Sequence, residues 1–140
     1  MYEFFKNCIQ ESSGLTFSKV SEEAITEAEQ RMGFAFPHSL RAFYQEIGYG
    51  FFKYDPAFIN RIMEPSDVAD FVCMSEEYMY VDRSLYPEDE LVFMHISGED
   101  FLTVEYSDGK EGVVKYLGSA IAESFADFLK KMIAAPNYFI

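Results

Sequence analysis

The chain has 140 residues, 24 acidic and 11 basic, for a formal net charge of −13 with histidines neutral. That length fits one domain of about 100–200 residues, and 49% hydrophobic with 25% charged residues excludes disorder over most of it. A sequence pI near 4.4 excludes a DNA- or RNA-reading role, which needs a basic footprint against phosphate, and leaves a basic partner as the charge-matched one.

Tyr2, Phe5 and Ile9 recur at helical spacing with Glu3, Lys6 and Asn7 on the other side, so a short helix is expected from Tyr2 to Gln10. Glu11-Ser12-Ser13-Gly14 ends it. Ser21 has the chemistry of an N-cap, because it precedes a helix-forming run whose first turn holds Glu22 and Glu23, where the helix dipole favours anions. Ile25, Ala28 and Met32 form the buried stripe, while Glu23, Glu27 and Arg31 follow at four-residue intervals on the exposed side. Gly33 closes this helix, since a left-handed residue there costs glycine little. Pro37 then suits the first turn of another helix, where its missing N–H would have been unpaired anyway. Leu40, Phe43, Tyr44 and Ile47 fall at i, i+3, i+4 and i+7, and Gly48 ends this second apolar face. With so few residues between them, the two helices are expected to form a hairpin-like pair.

After Gly50 the texture changes. Phe51, Phe52 and Tyr54 read as a short strand. Pro65 to Phe71 places Pro in a first turn with Val68 and Phe71 at three-residue spacing, a brief helix. Tyr78 to Val81 is ambiguous. Leu91 to Ile96 is apolar except for His95, as in a central strand. Phe101 to Tyr106 and Gly112 to Leu117 make two further strands, joined through Asp108-Gly109, a strong hairpin signal. In the last helix Phe125, Phe128, Leu129 and Met132 form one face; Ser124 with Asp127 resembles a capping box, although Ser119 offers an earlier start. Helices, then strands, then a helix predict an α+β fold with an antiparallel, or mixed, sheet.

Cys8 and Cys73 have no metal-ligand spacing, and two distant cysteines do not define a disulfide. The N-terminal MYEFFKNCIQESSG lacks the basic flank and apolar run of a secretory signal, and no stretch is apolar enough to span a membrane. A cytoplasmic protein with reduced cysteines is expected.

The segment Ile25-x-x-Ala28-Glu29-x-x-Met32-Gly33-Phe34-x-Phe36-Pro37-x-x-Leu40-x-x-Phe43-Tyr44, running into Gly48-Tyr49-Gly50, resembles the signature of the SUKH superfamily, the Smi–Knr-like domains. Asn60-Arg61-Ile62-Met63-x-Pro65 and Ser124-Phe125-x-x-Phe128-Leu129 agree with it, so the likeness covers a core of about residues 20–133 in a single domain spanning 1–140. The resemblance implies a sheet of about five or six strands packed against helices. It also implies a non-enzymatic protein-binding role. Many bacterial members resemble immunity proteins that neutralise a cognate polymorphic toxin, often a nuclease or deaminase, and fungal members regulate cell-wall glucan synthesis and carry long disordered arms. The lack of such arms here favours the compact bacterial type, acting as a monomer or weak dimer; the alternatives are a regulatory scaffold that binds a cellular partner, as in the fungal branch, and an unrecognised hydrolase or sugar-binding domain. No catalytic or cofactor residues carry over, because the shared positions Gly33, Pro37, Leu40, Phe43, Gly48 and Phe128 are caps and core residues.

From Ile62 to Gly112 there are 14 carboxylates against two cations, Arg83 and Lys110. The clusters Glu76-Glu77, Glu88-Asp89-Glu90 and Glu99-Asp100 fall in expected loops, and are either a solvated face or a patch that steers a basic toxin domain. Tyr49, Phe51, Phe52 and Tyr54 belong either to the core or to the same interface as aromatic anchors. His38 and His95 are expected to be structural, and Ser97 near His95 and Asp100 lacks a nucleophile elbow. No calcium-loop pattern organises the acids around a metal. Met63, Met74, Met79 and Met94 read as core fillers.

Overall fold

A computed structural model describes residues 1–11 and 14–140, so the expected turn at Ser12 and Ser13 lies outside the described residues. The elements run α1 (Glu3–Gln10), β1 (Thr16–Ser18), α2 (Glu22–Met32), α3 (His38–Glu46), β2 (Tyr49–Phe51), β3 (Arg61–Ile62), α4 (Pro65–Val72), β4 (Glu90–Ser97), β5 (Asp100–Ser107), β6 (Lys110–Tyr116), β7 (Ser119–Ala122) and α5 (Phe125–Ala134). Two 3-10 turns, Glu76–Tyr78 and Arg83–Leu85, lie between α4 and β4.

The seven strands form one sheet in sequence order, each antiparallel to the next. The expected α+β class holds, with seven strands in place of about five or six. Beyond the four strands read from the residues, the sheet adds β1, β3 and β7, two to four residues long, too short to display an alternation. β4 is central because Leu91, Val92, Phe93, Met94 and Ile96 are all buried, which only a strand covered on both sides sustains. Between Val92 and Met94 the register with β5 shifts, and the odd residue, Phe93, reaches Phe125 and Phe128 of α5, with ring centroids 5.5 Å apart in each case. Ser119 starts a strand, not the last helix, because Leu117 and Gly118 turn the chain with φ of 47° and 86°. Asp108-Gly109 makes the same kind of turn, at 52° and 74°; two successive positive φ values match the twist of a tight hairpin.

The helix caps follow the sequence closely. Ser21 Oγ accepts the Ala24 N–H, Gly33 is left-handed at φ 86°, and Ser124 Oγ accepts the Asp127 N–H while Asp127 accepts from Glu123. Pro37 stands one residue before the first turn, as the N-cap of α3. The expected pairing of α2 with α3 is only partial: α2 packs chiefly along α4. Its link to α3 is polar, with Arg41 Nε 3.1 Å from Glu29 Oε2 and Arg41 Nη2 2.8 Å from Glu22 Oε1.

Edge-to-face phenylalanines tie the layers together. Phe5 lies 5.1 Å from both Phe17 and Phe43, and Phe43 lies 5.5 Å from Phe125, so α1, β1, α3 and α5 share one aromatic cluster. None of the described helices is long and apolar enough to cross a membrane.

Candidate protein-binding surface

The acidic residues that crowd one stretch of sequence are divided in space by β4. Glu88 and Asp89 precede this eight-residue strand, whereas Glu99 and Asp100 lie across the turn after it. At about 3.3 Å per residue the two groups stand roughly 23 Å apart. Glu76 and Glu77 are exposed on the first 3-10 turn, beyond α4.

Cations from elsewhere in the chain neutralise part of the segment. Arg61 pairs with Asp67 at 2.9 Å, Arg31 with Asp70, and Lys115 Nζ lies 2.9 Å from Glu105 and 3.7 Å from Glu90. Glu90 is therefore not a free rim charge. Its side chain is 7% exposed and accepts the Thr103 hydroxyl at 2.7 Å, a bond set by strand register, since Glu90 faces Glu105 and Thr103 faces Lys115 across their ladders. Lys115 and the Val113 N–H hold the Glu105 carboxyl below the usual range. Glu76, Glu77, Glu88, Asp89 and Asp108 are exposed and make no ion pair among the described residues.

The aromatic candidates also divide. Phe52 is 2% exposed and packs with Phe5, Phe17 and Phe128, while Tyr49 is half-buried. Phe51 and Tyr54 are exposed at 43% and 84%, and with Ile59 they line a shallow depression beside Ser97 and Gly98. The strand expected through Tyr54 ends at Phe51, because the chain leaves the sheet for an Asp55–Phe58 bridge.

A deeper groove of about 750 Å³ opens at the other end of β4, between the end of α4, the chain from Arg83 to Leu91 and the β5–β6 hairpin. Phe34, Met74, Tyr106 and Glu88 are among its walls. Arg83 helps to shape its floor: the guanidinium lies 3.9 Å over the Phe71 ring and Nη1 donates to the Phe71 carbonyl. Burial pulls the pKa of Arg83 down. Sequence reasoning missed Phe34 and Met74 as surface candidates. The available signal was that each follows a helix end and so belongs to no apolar stripe. Met63 and Met94 fill the core as expected, but Met74 and Met79 are exposed.

His95 stacks on Phe101 at 4.5 Å and its Nε2 lies 2.8 Å from the Gly98 carbonyl, an arrangement that makes the neutral ring a donor there. Burial lowers its pKa more than the Gly98 bond raises it. Asp67, Asp70 and Glu77 bring carboxylate oxygens within 4.8 Å of one another, yet Arg61 and Arg31 already supply counter-charge to two of them.

A helix-backed antiparallel meander whose apolar groove and free carboxylates both face outward has the build of a small α+β binding module. Its sequence matches the SMI1 / KNR4 family (SUKH-1) model over residues 19–131, and the chain belongs to that family. Among its relatives is the immunity protein YxxD of Bacillus subtilis (strain 168), 30% identical over 138 residues that cover 96% of this chain and 94% of the relative.

Proposed function

We propose that this chain is an immunity protein that binds a cognate protein toxin stoichiometrically and blocks it by covering the active site or the surface beside it. The observation that carries this reading is the 30% identity to an immunity protein along nearly the full length of both chains. The net charge of −13 supports a basic toxin domain of the nuclease or deaminase type, since an enzyme that grips phosphate presents the complementary surface. Binding needs no cofactor or catalysis by this chain, and it would take place in the cytoplasm, as a monomer or weak dimer. The test takes as its probe the C-terminal domain of any large toxin found encoded by a gene neighbouring this one. Co-expression should restore growth of cells making the toxin, and the purified proteins should elute as an equimolar complex. Persistent toxicity with no complex would overturn the reading.

A further inference from the structure

We infer that the groove between α4 and the β5–β6 hairpin receives an apolar side chain carried on a Lys/Arg-rich segment of the partner protein. This rests on the immunity reading and adds where the partner docks and what it must present. The groove's volume of about 750 Å³ falls in the ordinary range for ligand-binding clefts. Two of its walls are large apolar side chains left in contact with solvent, Phe34 at 39% exposure and Met74 at 66%.

Met74 carries a second sign of purpose. It occupies the residue after the Cys73 cap of α4, with φ 57°, a position where glycine or asparagine is favoured. Its N–H bonds the Phe71 carbonyl, and the next N–H, from Ser75, reaches Asp70. A methionine here accepts a backbone penalty that glycine avoids, and places a flexible apolar side chain at the groove mouth.

The rim determines the partner's charge. Glu88 and Asp108 line the groove, are exposed and make no ion pair among the described residues, and Asp89 adjoins them. The cation in the lining, Arg83, stacks on Phe71 and donates Nη1 to its carbonyl, while its Nη2 is buried with no hydrogen-bond partner among the described residues, so neither group projects from the rim. Apolar walls under an acidic rim fit an aliphatic or aromatic anchor flanked by Lys or Arg, and anchors in desolvated pockets dominate interface energetics.

Three variants test this against that toxin domain: Phe34→Ser, Met74→Asn, which suits a left-handed backbone, and Ile140→Ser as a control at an exposed apolar residue outside every candidate surface. With circular dichroism and melting temperature unchanged, each groove variant should weaken binding about tenfold, equivalent to roughly 1.4 kcal/mol, and Ile140→Ser should not. Tight binding by both groove variants would overturn the groove and leave the immunity reading intact. If the wild-type chain does not bind the toxin, the immunity reading fails and a second measurement decides the groove. Methionine-methyl spectra would be titrated with the peptides Lys-Lys-Phe-Lys-Lys and Glu-Glu-Phe-Glu-Glu. A saturable shift of Met74, with the basic peptide only and without a matching shift of exposed Met79, supports the groove. No saturable shift, or equal shifts at both methionines, overturns it.

Discussion

At Gly48 a single hydrogen stands where a methyl group would lie 1.8 Å from the Ser18 carbonyl oxygen, in the backbone of β1. Gly33 also has a positive φ, but a methyl there would meet nothing within 4 Å. Gly33→Ala should therefore cost about 1 kcal/mol, the left-handed penalty alone. Gly48→Ala should exceed about 3 kcal/mol, because β1 must move; urea midpoints of the two variants check the order. Glu90 makes a similar contrast with its neighbours. Glu90→Ala leaves the Thr103 hydroxyl without its acceptor and should cost about 1–3 kcal/mol, whereas Glu88→Ala and Asp89→Ala should leave the midpoint unchanged. His95 contributes a pH dependence. Its folded pKa lies below the ordinary histidine value of about 6.5, chiefly through burial, with Arg61 adding to the effect and the Gly98 bond, Asp100 and Asp67 opposing it. As pH falls through the unfolded value the unfolded state takes up the proton first, so stability should drop from pH 7 towards 5. Melting temperatures of His95→Phe should fall less over that window.

Among the elements, α5 joins the sheet to the N-terminal helices. Phe128 is fully buried against Phe52 and Phe93, and Phe128→Ala should cost about 3–5 kcal/mol by chemical denaturation, through lost burial and the cavity left behind. The β6–β7 hairpin is less well matched to its turn. Leu117 is 45% exposed at φ 47° in a turn that favours Asn-Gly. Leu117→Asn should raise stability by about 0.5–1 kcal/mol, read as a higher melting temperature. That leucine is also why β7 escapes sequence reading: Asp108-Gly109 announces a hairpin, while Leu117-Gly118 looks like the end of an apolar run. β1 and β3 have a different cause, since three and two residues carry no period.

For the whole molecule, charge should govern encounter with the basic partner proposed above. Replacing Glu88 and Asp89 together by Gln and Asn should slow association with a basic toxin domain more than it speeds release, because rim charges act at long range and release depends on packed contacts. Raising salt from 0.1 to 1 M shortens the Debye length from about 10 to about 3 Å and should erase most of the difference. Stopped-flow rates at the two salt concentrations measure both effects; equal rates at low salt would reduce these residues to a solubilising surface.

The helices and their caps were legible in the sequence because their determinants are local: Ser21, Gly33, Pro65 and Ser124 act on backbone groups within a few residues, and the apolar stripes repeat along one chain. The central strand was legible because Leu91 to Ile96 is apolar enough to need cover on both sides. The surface was not legible in this way. Seen along the chain, 14 carboxylates form one block; in three dimensions, Arg31, Arg61 and Lys115 arrive from outside it to neutralise Asp70, Asp67, Glu90 and Glu105. The same packing sends Phe52 to the core and leaves its neighbour Phe51 in solvent. It also brings Phe34, Met74 and Tyr106 around one groove from distant parts of the chain. Propensity and periodicity depend on near neighbours in sequence, whereas exposure, ion pairing and concavity depend on near neighbours in space, which only the folded chain supplies.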